Sequence, residues 1–320
     1  MEALVKLLAD GEFHAGDDLG ERLGVSRAAV WKQVQKLQQM GLDIQSVKGK
    51  GYRLAQALEL LDADSIRAQM PAEARRLLNR LDIHPQVTST NNLAMAQATA
   101  GGSGAVFIAE QQTAGRGRRG RTWVSPFGCN LYLSCVWEFY QGAAALEGLS
   151  LATGVAVVRA LEALGVEGAG LKWPNDVLLN DAKVAGILLE MTGDPSGRCQ
   201  VVLGVGVNHR MPTNAANDID QAWTRVDDVC PGVSRNALAA AVLSQLLLML
   251  DKFRDVGFAA FHATWEGLDR FRGREVVIKT GAEDIPGIAA GVDRTGGLRL
   301  QTPSGELIMK GGELSLRLSR

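Results

Sequence analysis

Between Glu110 and Glu138 the chain carries no acid, and within that stretch Gly115-Arg116-Gly117-Arg118-Arg119-Gly120-Arg121 places four arginines in seven residues. Glycine lets a backbone approach an anion closely, and guanidinium forks grip phosphate or carboxylate oxygens in pairs. The spacing also satisfies Gly-x-Gly-x-x-Gly. A dinucleotide fold needs a helix directly after those glycines, however, and Thr122-Trp123-Val124-Ser125-Pro126-Phe127-Gly128 does not open one. The segment reads as a loop that closes over an anionic ligand, or as a solvated basic loop or RNA-contacting arginine patch.

Three other segments carry chemistry. Lys172-Trp173-Pro174-Asn175-Asp176, followed seven residues after Asp176 by Lys183 in Lys183-Val184-Ala185-Gly186, supplies two cations, an amide and a carboxylate. Its alternative is a turn anchored by Trp and Pro with solvated charges. Gly204-Val205-Gly206-Val207-Asn208 alternates glycine within an apolar strand, which fits a ligand lying on one sheet face, or a β-bulge. Thr88-Ser89-Thr90-Asn91-Asn92 is a polar strand-to-helix corner where hydroxyls and helix amides converge, or an ordinary cap.

These segments need a scaffold. Glu2–Ala9, Asp17–Leu23 and Ser26–Met40 read as three helices broken at Gly11 and Gly24. In the third, Val30, Val34, Leu37 and Gly41 line one face and Ala28, Lys32, Gln35 and Gln39 the opposite one. Ser26 is a good N-cap after a tight Gly24-Val25-Ser26-Arg27 corner, and Lys48-Gly49-Lys50-Gly51 forms a basic turn between strand-like runs within Ile44–Leu54. The unit resembles a winged helix-turn-helix; its alternative is a small bundle with a solvated basic face. From Ser26 to Arg53 six basic residues face one acid, a local charge of +5 in a chain of net charge −1. Residues 55–66 read as a helical linker. Beyond them, strand-like runs at 106–110, 130–136, 178–179, 185–191 and 201–207 cluster between long helical patterns at 146–164 and 236–253, a mixed sheet covered by helices rather than repeated βαβ units. From Arg272, β-type runs alternate with turns at Thr280-Gly281, 294–297 and 303–305, the pattern of a small barrel.

The 320 residues and 46% hydrophobic content leave room for two or three cores and exclude a disordered or low-complexity chain. Unbroken apolar runs such as 246–250 are too short to cross a bilayer, and Met1–Asp10 lacks a signal-peptide core, so the expected compartment is the cytoplasm, without membrane association. Cys129, Cys135, Cys199 and Cys230 form no C-x-x-C pair and the four histidines no metal-ligand spacing, which disfavours a disulfide scaffold and a protein-held metal.

Taken together in this order, Ser89-Thr90-Asn91, the 115–120 loop, the 172–176 box, Lys183–Gly186, Gly204–Asn208 and Gly311-Gly312-Glu313 ending near Arg317 closely resemble the bifunctional biotin protein ligases and biotin-operon repressors of bacteria. The resemblance runs over essentially the whole chain and departs at Thr113, where the family has a second glutamine. It implies an α+β protein with a winged helix-turn-helix over residues 1–60, a central mixed α/β domain of the biotin/lipoate-ligase type over 61–271, and a C-terminal SH3-like barrel over 272–320. It implies ATP and biotin as substrates, Mg2+ with ATP, biotinyl-5'-AMP as intermediate and corepressor, and a carboxylase's biotin carboxyl carrier protein as acceptor. It implies a homodimer in the adenylate-bound state and operator double-stranded DNA as a further partner.

By the same resemblance Lys183, Arg118 and Asp176 are the catalytic candidates. Ser89, Thr90, Asn91, Gln112, Arg116, Gly117, Arg118, Lys183, Gly186, Gly204 and Gly206 are the biotin candidates. Arg118, Arg121, Trp123, Lys172, Asn175, Asn208 and Arg317 fall on the nucleotide side, with Trp123 as an adenine-stacking ring. Ser26, Arg27, Ala28, Lys32, Gln35, Lys48 and Lys50 are the DNA candidates. A ligand-sensing repressor without catalysis and a lipoate ligase are the two rivals. The density of phosphate-grade donors disfavours the first; the arginine loop and the winged unit, both foreign to lipoate ligases, disfavour the second.

Overall fold

The computed structural model describes residues 1–98, 102–194, 196–212, 219, 221–280, 283–311 and 314–318. Gly281, Gly312 and Glu313, which belong to segments singled out above, lie outside the described residues.

The chain opens with α1 (Glu2–Leu8), α2 (Gly16–Leu23) and α3 (Arg27–Gln39), followed by a hairpin of β1 (Ile44–Val47) and β2 (Gly51–Leu54). Gly24 ends α2 in the left-handed region at φ 65°, and the Ser26 hydroxyl accepts the Ala29 N–H at 3.2 Å, so the corner and the cap are built as their residue types require. Val30, Val34 and Leu37 turn inward onto Leu4, Val5, Leu8 and Leu19. Gly41 does not share that face: it lies beyond the helix, exposed, at φ 91°. The core of this unit is completed from outside it by Phe127, which is 7% exposed and packs among the same residues.

The expected helical linker is not one. Residues 55–62 run without helix, and α4 (Ala63–Gln69) begins only where the Asp62 carboxylate accepts the Ser65 N–H at 2.8 Å. The reason is Glu59, whose carboxylate accepts the Ser234 hydroxyl and the Arg235 and Asn236 N–H groups, capping a distant helix in place of its own. Burial pushes the Glu59 carboxyl up, and these hydrogen bonds outweigh it, holding it below its ordinary value.

After α4 come α5 (Ala72–Leu77), β3 (Arg80–His84), α6 (Thr90–Ala98), β4 (Ala105–Ala109), β5 (Leu131–Phe139), α7 (Leu149–Ala163), β6 (Ala169–Lys172), β7 (Asp176–Leu179), β8 (Ala182–Gly193), β9 (Cys199–Val207), α8 (Arg235–Val256) and α9 (Ala259–Leu268). The strands form a seven-stranded sheet in the order β3-β4-β5-β9-β8-β7-β6, antiparallel except for β3 against β4. Strand alternation sends Val106, Ile108, Cys135, Trp137 and Leu203 toward α7 and α8, and Phe107, Val136 and Val202 toward α6. Contrary to the expectation from unbroken runs, two helical stretches, 143–163 and α8, are long and apolar enough to cross a membrane. Most of each is buried against the sheet and its neighbours, which accounts for the composition.

The C-terminal unit is β10 (Glu275–Lys279), β11 (Asp284–Val292), β12 (Leu298–Thr302), β13 (Gly305–Met309) and β14 (Ser315–Leu318), an antiparallel sheet in the order β13-β12-β11-β10-β14. Its β11–β12 turn reaches back to the central unit, where the Gly296 carbonyl accepts the Trp173 indole N–H at 3.1 Å. Lys310 and Glu147 close the same junction at 2.9 Å.

Replacing Phe127 with Ala should destabilise the winged unit by about 3 kcal/mol, the usual cost of emptying a buried phenylalanine site. Urea unfolding followed by helical circular dichroism should then show an early transition absent from the parent protein.

Candidate functional site

The site is an open cleft over the glycine-bearing stretches of β8 and β9. Of the residues singled out from sequence, Ser89, Thr90, Asn91, Gln112, Arg116, Gly117, Arg118, Arg121, Trp123, Lys172, Asn175, Asp176, Lys183, Gly186, Gly204, Gly206 and Arg317 all line it. They come from five places in the chain: the start of α6, the 111–123 segment, the β6–β7 turn, the paired strands β8 and β9, and β14.

One end is amide- and hydroxyl-rich. The Gln112 side-chain oxygen accepts the Thr90 N–H at 2.9 Å and the Thr90 hydroxyl at 3.2 Å, while its nitrogen donates to the Ser125 hydroxyl at 3.1 Å. The Thr113 hydroxyl instead donates to the Val87 carbonyl at 3.4 Å, and backbone hydrogen bonds from Thr113 to Val87 and from Ala114 to Thr88 join the corner to the loop beside Gln112. Asn91 accepts the Ser134 hydroxyl and donates to Glu190 at 2.7 Å, and the Nη2 of Arg116 donates to both oxygens of the same Glu190 at 2.9 and 3.0 Å. Ser134 and Glu190 were not found from sequence. Each is flanked by apolar neighbours in its strand, and the sheet register, not a local motif, brings it to Asn91.

No bulge interrupts the pairing here; the glycines are explained by close approach. Gly186 pairs with Gly206 across β8 and β9. A Cβ at Gly206 would lie 2.5 Å from the Trp123 ring, one at Gly186 2.9 Å from it, and one at Gly204 2.3 Å from the Asn91 oxygen. The indole therefore lies flat on a glycine floor, and its buried N–H has no partner among the described residues. The loop that brings it is closed at its base by the Trp123 N–H donating to the Gly115 carbonyl at 2.9 Å and turns sharply at Arg119, a non-glycine residue at φ 60°.

The other end is cationic. Lys183 pairs with Asp176 at 2.6 Å, both side chains being about 15% exposed (15% and 14%), and its ammonium stands 5.4 Å from the Trp123 ring centre. Lys172 sits opposite Asp176 in the β6–β7 ladder. Burial pushes the Lys172 ammonium's pKa down, against the opposing pull of Asp176. Burial likewise lowers that of the Arg118 guanidinium, which donates to the Asn175 side chain at 3.0 Å and to the Leu314 carbonyl at 3.4 Å. Asn175 is held in turn by donating to the Ile187 carbonyl at 2.8 Å.

Asn208 is a correction. Its amide points away from the cleft and donates to the Thr224 carbonyl at 3.1 Å and the Lys183 carbonyl at 3.5 Å, fastening the 222–224 segment to the start of β8. A polar residue ending a ligand-facing strand faces the opposite side from the glycines two and four residues before it only if the ladder breaks, and here the ladder ends at Val207.

Away from the cleft, Ser26, Arg27, Ala28, Lys32, Gln35, Lys48 and Lys50 are all exposed on α3 and the hairpin turn. Arg27 makes a 3.3 Å pair with Asp17, and Lys50 and Arg53 both lie over the Phe13 ring, at 5.7 and 4.6 Å.

Residues 83–208 match the biotin/lipoate A/B protein ligase family, residues 1–53 a helix-turn-helix domain and residues 271–317 the biotin protein ligase C-terminal domain. The chain is 42% identical to the bifunctional ligase/repressor BirA of Escherichia coli over 98% of its own length and 96% of that protein's. It is 32% identical to the BirA of Bacillus subtilis over 93% of its length and 92% of that protein's. Among solved structures, the biotin protein ligase of Aquifex aeolicus in complex with biotin and ATP superposes with a TM-score of 0.64 at 29% identity, over 76% of this chain and all of that one (100%).

Because a Cβ at position 206 would overlap the Trp123 ring, Gly206→Ala should unseat the indole and free the arginine loop. Limited trypsin digestion should then cut between Arg116 and Arg121 several-fold faster than in the parent; an equal rate would show that the indole does not hold the loop.

Proposed function

This chain belongs to the bacterial family of bifunctional biotin protein ligases and biotin-operon repressors, and from that premise we propose how its own residues carry the two activities. It is an ATP-dependent biotin–protein ligase that forms biotinyl-5'-AMP, transfers biotin to a lysine of a biotin carboxyl carrier protein, and represses biotin biosynthesis genes as the adenylate-bound dimer. The observation that carries the reading is the convergence of the arginine loop, the 172–176 box, Lys183 and the Ser89-Thr90-Asn91 corner on one cleft.

Biotin's carboxylate is a poor acyl donor because oxide would have to leave. In the first step one carboxylate oxygen attacks the α-phosphorus of ATP, the bond to the bridging oxygen breaks, and pyrophosphate departs. The attacking group is already an anion, so no base is needed; what is needed is cancellation of repulsion and of charge building on the phosphoryl oxygens. Lys183, Arg116 and Arg118 supply it, with Mg2+ entering on the ATP phosphates. Ser89, Thr90, Asn91 and Gln112 offer the donors and acceptors suited to a ureido ring. Gly186, Gly204 and Gly206 give its bicycle a floor, and the ring's entry carries the Trp123 indole off that floor toward adenine. The indole N–H, which has no partner among the described residues, supports a resting position that a ligand exchanges. Lys172, Asn175, Arg121 and Arg317 face the nucleotide.

In the second step the acceptor's neutral amine attacks the anhydride carbonyl, the acyl–oxygen bond to phosphate breaks, AMP leaves as an anion, and the nitrogen's proton passes to solvent water. Asp176 is held by Lys183 at 2.6 Å, which favours orienting that lysine over abstracting the proton. Beyond Ile187 the outer edge of β8, from Leu188 to Gly193, has no strand partner among the described residues; it supports a second copy of the chain adding strand to strand. Residues 1–60 are the DNA-binding unit, 61–271 hold the chemistry and 272–320 brace the nucleotide end. The cytoplasm, where the carrier protein and operator are found, is the proposed compartment.

ATP–pyrophosphate exchange should depend on biotin and not on lipoate, and Lys183→Ala should suppress it severely, a cation at the reacting oxygens being worth on the order of 3 kcal/mol. Exchange driven by lipoate alone would overturn the substrate assignment. On the DNA side, replacing Lys48 and Lys50 with Ala should weaken binding to all duplexes alike and flatten the log–log salt dependence by roughly two units.

A further inference from the structure

Among the tryptophans, Trp137, Trp173 and Trp265 are buried and Trp123 and Trp223 partly so, whereas Trp31 is 52% exposed. It stands on α3, whose inner face is occupied by Val30, Val34 and Leu37. At spacings of four, four and three, Arg27, Trp31, Gln35 and Gln38 form one ridge along the outer half of that helix; Gln35 donates to Gln38 at 3.1 Å, as neighbours on such a ridge do. Exposed Ala28, three residues before Trp31, extends the indole into a short apolar strip within an otherwise polar surface.

Resting on the DNA-binding reading above, we infer that Trp31 reads the 5-methyl groups of thymine in the major groove, between the base pairs contacted by Arg27 and Gln35. The ridge sets the position. At about 1.5 Å of rise per residue, Arg27 and Gln35 are about 12 Å apart, three to four base-pair steps, with Trp31 midway between them. Arg and Gln recognise base edges by paired hydrogen bonds, which an indole cannot imitate with its single donor. What it offers is a wide apolar face, and the thymine methyl is the one apolar group that the major groove displays. The surroundings complement DNA: residues 26–53 carry a local charge of +5, with Lys48 and Lys50 exposed on the neighbouring hairpin. Trp31 is a specificity determinant and not a source of general affinity, because it neutralises no phosphate.

The test uses the full chain loaded with biotin, MgATP and the adenylate formed from them. A duplex is first selected from a random double-stranded library; each thymine is then replaced singly by uracil, which removes only the methyl, and binding is followed by fluorescence anisotropy. The parent should lose about three- to five-fold at one or two thymines lying between the pairs sensitive to Arg27 and Gln35 substitution, the equilibrium equivalent of one unburied methyl-sized group. Trp31→Ala should bind the thymine duplex more weakly by that factor and no longer distinguish uracil, with its salt dependence and biotin-dependent pyrophosphate exchange unchanged. Trp31→Phe should keep part of the discrimination. A uracil profile in Trp31→Ala identical to the parent's would overturn the inference, as would loss of the dimer in sedimentation with the uracil profile intact, which would make Trp31 a protein contact. Failure of the parent to enrich any duplex would instead overturn the DNA-binding reading itself.

Discussion

Arg235 and Glu110, 2.6 Å apart and 1% and 6% exposed, form the buried ion pair on which the placing of the winged unit against the ligand cleft depends. Glu110 follows the last residue of β4 and accepts the Leu61 N–H at 2.7 Å; Arg235 opens α8 and donates to the Asn130 and Glu59 carbonyls, each at 2.9 Å. One pair thereby joins the end of one central strand, the start of the next, the longest helix and the segment leading from the winged unit. Two charges out of water are tolerated only when they are paired, and removing either partner of a buried pair costs about 3–5 kcal/mol. The two residues after Glu110 show what the pair positions: Gln111 donates to the Met40 carbonyl of the winged unit at 2.8 Å, and Gln112 holds the polar end of the cleft. The DNA-facing unit and the ligand site are thus one and two residues from the same anchored carboxylate.

The cleft itself is a set of cations kept in check by acids. Asp176 lies between Lys172 and Lys183, and Glu190 engages Arg116 while also receiving Asn91. The donors are held in fixed orientations, and the acids limit mutual repulsion among the cations. Preorganisation of this kind is the main lever available to a reaction whose nucleophile is already charged.

Much of this was legible in the sequence because it is local. The Gly24–Arg27 corner, the Ser26 cap, the lysine turn and the glycine spacing on β9 each need only a few adjacent residues, and each forms as expected. What escaped is what register or tertiary contact decides. Ser134 and Glu190 are polar residues flanked by apolar neighbours in their strands, β3 and β6 are short strands with mixed patterns, and the 55–62 segment has helix-forming residues that lose to Glu59's interaction with the start of α8. Asn208 sits in motif order with the cleft residues but just past the end of its ladder, where alternation no longer fixes the direction of a side chain.

Phe127 gives the winged unit a dependence on the order of synthesis. The residues of α1, α2, α3 and the hairpin leave the ribosome first, yet their core lacks one aromatic ring until a segment that belongs to the ligand cleft has also emerged. The unit translated earliest therefore completes its packing only once the segment just after the arginine loop has also emerged, so a nascent chain finishes the core of its winged unit well after the last of that unit's own residues has left the ribosome.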